Sequence, residues 1–471
     1  MRFAPFTPLP LLALALSACA VGPDYERPQS AMAPDWVEPA SLEPVDLAWW
    51  NSFHDPLLTS LVERAIATAP DVRVAQARLE EARANRDAVR GGRLPSATVT
   101  GAANETVLSK NGQLPIDKIP GFARDFSLFD IGFDASWELD FWGRQQRRKQ
   151  GAEARTDAAL EARRDVQIRL AAEVARAYTD MRTAQREATL RQQIADAQAG
   201  RAQLADQLFR AGDASRMEAE AATTVAANAA RMVPEAQARA DAAAYRIAAL
   251  LGVPPEEILP ELQQPSALPE PPVTIAAGVR SDLLSRRPDL RRAERELAAA
   301  TADIGVAKAD LYPRFALMGS AGSQAVNAGD LPSSDSFRLS LGPSISWPIF
   351  NGGRIRAQIR AADARADGAL AAYEGTVTGA LADSEAALNR HRRSQLALGQ
   401  ARRALASQRI AHDLSRQRFA AGEDSRLQYL AAQAQLAEVE LATLQAQAAE
   451  LQAAIALYKA LGGGWRDEAG N

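Results

Sequence analysis

The feature that most limits the possible folds of this chain is an internal repeat. Pro70-Asp71 recurs 218 residues later as Pro288-Asp289. Farther along the chain the offset is 210, and there WELDFWGR at 137–144 matches WPIFNGGR at 347–354. Matching segments in the same order predict two halves that fold into the same elements.

The repeat also predicts where the parts of the chain begin and end. The change of offset from 218 to 210 places eight extra residues in the first copy, between Pro95 and Trp137. A proline-rich stretch separates the two copies and is expected to be a connector. The predicted parts are a first repeat at 57–253, a connector at 254–274, a second repeat at 275–464 and a polar tail at 465–471.

Each repeat begins with a helical segment and then changes period. Residues 57–93 and 283–311 are rich in Ala, Arg, Glu and Leu, which predicts a helix in each repeat. After a proline, apolar and polar residues alternate in two runs per repeat, as in strands with one apolar face. The aromatic residues of these runs share that face: Phe129, Phe133, Trp137, Phe315, Phe337 and Trp347. The opposite face carries Asp130, Asp134, Glu138 and Arg338.

Two structures fit this alternation. Runs of about 9 to 11 residues can cross a bilayer as tilted strands, with aromatic side chains facing lipid and charges facing a lumen. A half-buried sheet of a soluble domain has the same period. Four strands cannot enclose a water-filled barrel, because about eight are needed even for a packed interior. The barrel interpretation therefore requires several copies of the chain.

A long segment without proline follows the strands in each repeat, at 144–210 and 354–419. About 67 helical residues at 1.5 Å each give a helix of roughly 100 Å. Gly212 and Gly422 predict turns into return helices, and Pro234 is expected to break the first of these. The second return helix has the 3,4 spacing of a coiled coil, at Leu427, Leu430, Ala434, Ala437, Leu441, Leu444, Ala448, Leu451, Ile455 and Tyr458.

Composition removes several classes of function. Lys+Arg 54 and Asp+Glu 58 nearly balance, which argues against a nucleic-acid partner. After residue 20 no apolar run reaches 18 residues, which excludes a helical integral membrane protein. One cysteine and three histidines offer little for a metal site, and neither a catalytic group nor a phosphate-binding loop is found. We therefore predict no enzymatic activity, no cofactor and no metal.

The N-terminus predicts export and lipidation. Residues 1–18 have one basic residue, an apolar stretch and then small residues, which is the layout of a signal peptide. The segment ends in Leu16-Ser17-Ala18-Cys19, which resembles a bacterial lipobox, and Cys19 is the single cysteine. Ala20 follows it in place of an aspartate, which favours delivery to the outer membrane. Residues 19–56 are expected to form a lipidated, extended tether.

These motifs, together with the segments at 49–62 and 286–315, resemble those of TolC-like outer membrane efflux proteins. The closest resemblance is to their lipoprotein (NodT-like) branch, which serves resistance-nodulation-division (RND) pumps, and it covers nearly the whole mature chain. It implies a mainly α fold with a membrane β-barrel, in a homotrimer whose twelve strands form one barrel above a periplasmic α-helical barrel. It also implies passive export of small molecules received from a periplasmic adaptor (membrane fusion) protein and an inner-membrane RND transporter.

The resemblance assigns roles to particular residues. Leu427 matches a leucine that narrows the pore, while Ala431 stands where the family has an aspartate, which argues against an acidic ring; Leu427 fits the coiled-coil seam equally well. The lumen would be lined by the charged strand residues, and the loops at 105–125 and 324–335 would face outside. The tips that would contact the adaptor contain Gly212, Asp213, Gly422, Glu423 and Asp424, whose charges also fit solvated turns.

Two other functions stay open at this point. One is the outer membrane channel of a type I protein secretion system, built on the same scaffold. The other is a periplasmic coiled-coil adaptor lipoprotein, which would explain the long hairpins and the lipid. The two pairs of strands with aromatic residues on one face do not fit an adaptor.

Overall fold

The computed structural model describes residues 20–28, 33–109, 123–264 and 266–465. The predicted signal peptide, the lipidation site Cys19 and part of the loop at 105–125 lie outside the described residues. The first repeat contains α1 (Pro56–Thr68), α2 (Pro70–Gly91), β1 (Ser96–Val107), β2 (Asp125–Leu139), α3 (Arg144–Ala211) and α4 (Arg216–Leu251). The remaining elements are α5 (Pro255–Leu262), α6 (Leu283–Arg286), α7 (Pro288–Ala309), β3 (Arg314–Ala325), β4 (Phe337–Ser346), α8 (Arg354–Ala420) and α9 (Arg426–Ala460).

The helical segment that opens each repeat is two helices and not one. In the first repeat the break falls at Ala69, whose ψ of 148° is extended. In the second it falls at Arg287, which has a ψ of 121°. Pro70 and Pro288 follow these residues, and a proline disfavours the helical conformation of the residue before it. The sequence prediction of a single helix was therefore wrong at the Pro-Asp pairs that had revealed the repeat.

The four strands form one antiparallel sheet in the order β1-β2-β3-β4. The hairpins β1-β2 and β3-β4 were predicted, whereas the central β2-β3 pair, which joins the two repeats, was not. Its register places Phe133 opposite Ala321 and Trp137 opposite Leu317. Opposite residues in an antiparallel pair lie on the same face, so the apolar faces of both hairpins continue into one surface.

The long helices agree with the sequence, with 68 residues in α3 and 67 in α8. Serine caps begin both return helices through capping boxes, Ser215 with Glu218 and Ser425 with Gln428. The predicted break at Pro234 was wrong, since α4 runs unbroken through it. A proline removes only one backbone donor, and the adjacent Val233 and Ala236 are buried.

The seam predicted for α9 is buried along most of its length. Its members from Ala434 to Tyr458 are buried, whereas Leu427 is 39% exposed. Leu441 and Leu444 pack against Leu190 of α3. The coiled-coil spacing therefore describes a packed interface between helices, except at its N-terminal end.

Two predicted linkers contain more structure than the sequence suggested. Within the predicted tether, Trp49, Trp50 and Phe53 form a buried 3-10 helix, and Trp49 stacks on Tyr458 at 5.3 Å. The predicted connector contains the eight-residue helix α5. Trp465, at the start of the predicted polar tail, is buried, with Arg164 lying 4.3 Å from its ring centre. Apolar side chains that find a packing surface override a proline-rich composition.

The described chain divides into two compact units. The sheet unit comprises Met1–Pro28, Glu80–Ala158 and Ala293–Tyr373, and the helical unit comprises Gln29–Leu79, Ala159–Arg292 and Glu374–Asn471. Among the described residues, every helix is too short or too polar to cross a membrane.

Candidate functional site

The apolar face of the sheet is open to its surroundings in the single chain. Its exposed side chains are Val99, Ile131, Phe133, Trp137, Leu317, Phe337, Leu339, Leu341 and Ile345. A continuous apolar surface of this kind marks contact with a membrane or a partner. At one end of it, the indoles of Trp137 and Trp347 donate hydrogen bonds to the carbonyls of Arg93 and Leu311, both at 3.0 Å. Such half-polar rings suit a membrane interface.

The opposite face brings predicted lumen residues together. Arg338 on β4 donates to both carboxylate oxygens of Asp130 on β2, at 2.6 and 3.0 Å. The guanidinium crosses β3 at Gly322, which lies opposite Arg338 and has no side chain in the way. Gly132 lies opposite Gly322 on β2. A Cβ on Gly132 would lie 3.2 Å from Arg338 Nη2, so a side chain there would crowd the guanidinium.

The other predicted lumen carboxylates also have partners. Thr100 donates to Asp134 at 2.9 Å. Arg144, at the start of α3, donates to Glu138 at 2.7 and 3.0 Å. The charges of this face are therefore held in specific hydrogen bonds, and sequence reasoning had found the residues but not their pairing.

The two hairpin tips share a backbone and differ in their side chains. Gly212 and Gly422 have φ of 82° and 80°, in the left-handed region that favours glycine. The charges of Asp213 and Glu423 are exposed. Arg418 pairs with Asp424 at 2.9 Å and lies 3.9 Å from Glu423, and the Asp424 side chain is only 11% exposed.

An aromatic contact at the second tip escaped the sequence analysis. Phe419 stacks on Tyr429 with ring centres 5.1 Å apart and planes at 4°. At the 210-residue offset their counterparts are Phe209 and Ala219, so the first tip cannot form this stack. A comparison of the repeats for unmatched aromatic residues would have revealed the difference.

The predicted gate residues lie in the first turns of α9. Leu427 is exposed, so within its own chain it is not a buried seam residue. Leu430 packs on α3 at Gly200. The contact is so close that a Cβ on this glycine would lie 3.2 Å from Leu430 Cδ1. Ala431 follows Leu430 and adds no charge.

A buried ionisable pair lies between α8 and α9, at positions that the sequence analysis did not single out. His391 Nδ1 is 3.9 Å from a carboxylate oxygen of Glu450, and neither imidazole nitrogen has a hydrogen-bond partner. Burial raises the pKa of Glu450 to about 7, while Arg402 lowers it and Glu270 raises it further. Burial also lowers the pKa of His391. Their first-repeat counterparts are Met181 and Ala240. Among the described residues, no group of His, Cys, Asp and Glu side chains is arranged to hold a metal ion.

Known proteins match this chain over nearly its whole length. The family model "Outer membrane efflux protein" matches residues 61–253 and 279–463, one match in each repeat. The chain is 34% identical to outer membrane protein OprJ of Pseudomonas aeruginosa over 465 residues, which cover 97% of this chain and 95% of OprJ. It is 32% identical to the toluene efflux pump outer membrane protein TtgI of Pseudomonas putida over 481 residues, with 98% of each chain covered.

A solved structure agrees with the fold as well as with the sequence. The structure of the outer-membrane channel OprN superposes with a TM-score of 0.84 at 37% identity, covering 95% of this chain and 100% of that one. The mainly helical fold, the four-stranded sheet and the two-fold repeat are thus those of outer membrane channels. The protein is assigned to the bacterial outer membrane on the same grounds. The chain belongs to the outer membrane efflux protein family.

Proposed function

We propose that the protein is the outer membrane channel of a tripartite efflux pump and that three copies close the sheet into a barrel of twelve strands. The carrying observation is the sheet, with its exposed apolar face, its charged opposite face and its two open edges. Within the described residues, β1 and β4 each pair on one side only. Unpaired edges are unfavourable in a membrane, and closure removes them.

The internal repeat supports a specific pairing between copies. Inside the chain β2 pairs with β3, and their counterparts in the repeat are β4 and β1. Ala135 of β2 lies opposite Gly319 of β3. The 210-residue offset relates Ala135 to Ile345 of β4, and the 218-residue offset relates Gly319 to Gly101 of β1. The repeat therefore predicts that Ile345 lies opposite Gly101 of a second copy. The same transfer puts both residues on the apolar face, so the surface would run on around the barrel.

Export would be passive, with helical hairpins that receive substrate from the periplasmic side. The tips at 212–213 and 422–424 would contact a periplasmic adaptor, which links the channel to an inner-membrane RND transporter. The relative TtgI is described as part of a toluene efflux pump, which supports small molecules as the exported class. The open apolar face of the sheet favours a channel over a periplasmic adaptor. Two relatives are named as components of solvent and toluene efflux pumps, which favours small molecules over secreted proteins.

Two residues are proposed to have special roles in this channel. Leu427 would form an apolar constriction, supported by its exposure at the start of α9, and Ala431 would leave the constriction without an acidic ring. Cys19 would carry the lipid anchor and would not build the channel itself. A Cys19→Ala variant with a cleavable signal peptide is expected to form oligomers as the parent protein does.

Conductance in planar bilayers tests the channel and its gate. The purified protein is expected to form discrete channels, and Leu427→Ala to raise their resting conductance several-fold, since a Leu to Ala change widens an apolar ring. The matched control is Met217→Ala, the counterpart in the first repeat, which is also exposed. Equal conductance of all three proteins would contradict the gate, and a failure of the parent protein to form channels would contradict the function.

Cross-linking tests the trimer and its register. Ile345→Cys with Gly101→Cys should give covalent trimers with a short bismaleimide, because cross-strand partners lie about 5 Å apart. Ile345→Cys with Ala102→Cys is the control, since Ala102 faces the other side of the sheet. Trimers in the control alone would overturn the register.

A further inference from the structure

We propose that residues 20–27 occupy a dedicated groove in the sheet unit and thereby fix the acylated cysteine beside the turn between β2 and α3. The groove is formed by the start of α3, by α7 and by this turn. The inference rests on the proposed lipidation of Cys19, and it adds a docking site for the residues that follow the lipid.

Arg147 supplies the main contacts of the groove. Its guanidinium lies 3.4 Å from the Ala20 carbonyl, 3.3 Å from that of Val21 and 3.1 Å from that of Gly22. It also pairs with Asp24 at 2.8 Å, and its own side chain is buried. Five N–H donors in a rigid fork suit a row of carbonyl oxygens, so one side chain holds three successive peptide groups.

Glycines allow the segment to lie directly against the groove. Gly22 has φ of +100°, and a Cβ on it would lie 2.5 Å from the Cα of Gly305 on α7. A Cβ on Gly305 would in turn lie 2.8 Å from the Val21 carbonyl oxygen. A Cβ on Gly143 would lie 2.6 Å from the Cα of Ala20. Backbone packing this close excludes any other residue at these crossings.

The groove lies at the edge of the sheet where β2 ends and β3 begins. The Val21 amide donates to the Trp142 carbonyl at 3.0 Å. The Trp142 indole donates to Pro313 O at 2.8 Å, one residue before β3, and its ring stacks on Tyr312 at 4.8 Å. Ala20, whose carbonyl contacts Arg147, therefore lies at this end of the sheet. Acyl chains on the residue that precedes Ala20 in the sequence would start here.

The far end of the segment is held on α7. The Tyr25 hydroxyl donates to Glu294 at 3.1 Å, and Arg27 pairs with the same carboxylate at 2.9 Å. Arg295 lies 5.5 Å from the centre of the Tyr25 ring. Burial and the Glu294 charge raise the pKa of Tyr25 to about 12, which keeps the phenol protonated as a donor. With both ends held, the segment sets the place and the depth at which the lipid enters the membrane.

A photoreactive lipid tests the placement. Cells receive a fatty acid that carries a diazirine, and after irradiation the cross-linked peptides of the full-length protein are mapped by mass spectrometry. In the parent protein the cross-links should concentrate at 137–144 and 312–315. In Gly22→Val and Gly305→Val the share of cross-links that fall in these two segments should decrease about tenfold. A tenfold change corresponds to the loss of one hydrogen bond to a charged group. Gly368→Val is the control, since a Cβ on that helical glycine meets nothing within 4 Å.

Protease access to the bond after Glu26 provides a second measurement, independent of the lipid. Endoproteinase Glu-C should cleave it at least about tenfold faster in Gly22→Val and Arg147→Gln than in the parent and control proteins. Gly22 lies outside the helices, so its variant tests docking even where a groove variant fails to fold. Equal cleavage in all proteins, or cross-links unchanged by Gly22→Val, would overturn the docking. Absence of photolipid from the parent protein would overturn lipidation alone, because cleavage would still decide the docking.

Discussion

The two turns from strand to helix have the same place in the repeat and different surroundings. In the first, Phe141 packs on Phe315 with ring centres 5.1 Å apart, next to the stacked Trp142 and Tyr312. In the second, Asn351 and Gly352 replace these aromatic residues. Apolar residues precede Asn351 directly in the chain, where Ile349 is 84% and Phe350 90% exposed. The first turn is covered by the second repeat of its own chain, which suggests that the second turn is covered by the first repeat of another copy.

The buried seams differ in chemistry in the same way. The first repeat has Met181 and Ala240 where the second has His391 and Glu450, and all four are buried. The buried positions are common to both repeats, and at these two positions the second repeat has ionisable groups. The two repeats therefore share their packing positions and differ in the side chains that occupy them.

The largest expected effect concerns the exposed turn. Phe350→Asp should abolish the proposed trimer in detergent, because burying a phenylalanine contributes about 2 kcal/mol and this loss would occur in each of three interfaces. Within a single chain the substitution removes almost no contact. Gel electrophoresis without heating, with and without chemical cross-linking, measures the outcome.

A second substitution distinguishes a partner copy from lipid as the cover. Leu94 is the counterpart of Tyr312 at the 218-residue offset, and it is 67% exposed. Leu94→Asp should reproduce the loss of trimer, whereas Phe350→Trp should retain it. Intact trimers in Phe350→Asp would mean that the two turns do not have equivalent covers.

Much of this architecture was predictable because it follows from local patterns. The repeat, the alternation of 129–139 and the 3,4 spacing in α9 each depend on neighbours close in sequence, so the strands, hairpins and seam followed. The β2-β3 pair was missed because no periodicity records which strand is adjacent to which. The breaks at Pro70 and Pro288 were missed because the overall composition of both segments favours a helix. The prolines themselves indicate a break, since each disfavours the helical conformation of the residue before it.

The candidate sites divide along the same line. Asp130 and Arg338 were found through their common face, but their direct bond depends on Gly322 of the strand between them and on Gly132 of β2. The Arg147 groove joins residues more than 120 positions apart, and no sequence spacing indicates it.

The next effect in size concerns the buried seam. Glu450 has a folded pKa of about 7, above its ordinary value, so its neutral form stabilises the fold and this contribution is lost as pH rises through 7. Between pH 8 and 6.5 the stability should rise by about 1 kcal/mol. His391 acts in the opposite sense as pH falls through its ordinary value, because its folded pKa is lowered, and it offsets part of this rise near pH 6.5. Thermal unfolding in detergent at the two pH values measures the change.

Variants test whether this pH dependence of stability comes from His391 and Glu450, which the first repeat lacks. Glu450→Gln should flatten the profile, and His391→Met with Glu450→Ala, which copies the first repeat, should flatten it equally. Glu438→Gln on the same helix is the control, since Glu438 is half-exposed. A profile that survives in both seam variants would assign the dependence to other groups.

The smallest expected effect concerns the hairpin tips. Asp424 pairs with Arg418 at the second tip, and Ala214 stands in its place at the first. Since Arg418 is largely exposed, the pair is worth only about 0.5 kcal/mol. Asp424→Ala should therefore speed hydrogen exchange of the Glu423 amide, which donates to the Arg418 carbonyl, by about twofold. The Asp213 amide, which donates to Leu208 at the first tip, should be unaffected.

High salt should remove the difference between variant and parent, because it screens an exposed pair. A larger effect would mean that the ion pair, and not the glycine turn common to both tips, holds the second tip closed.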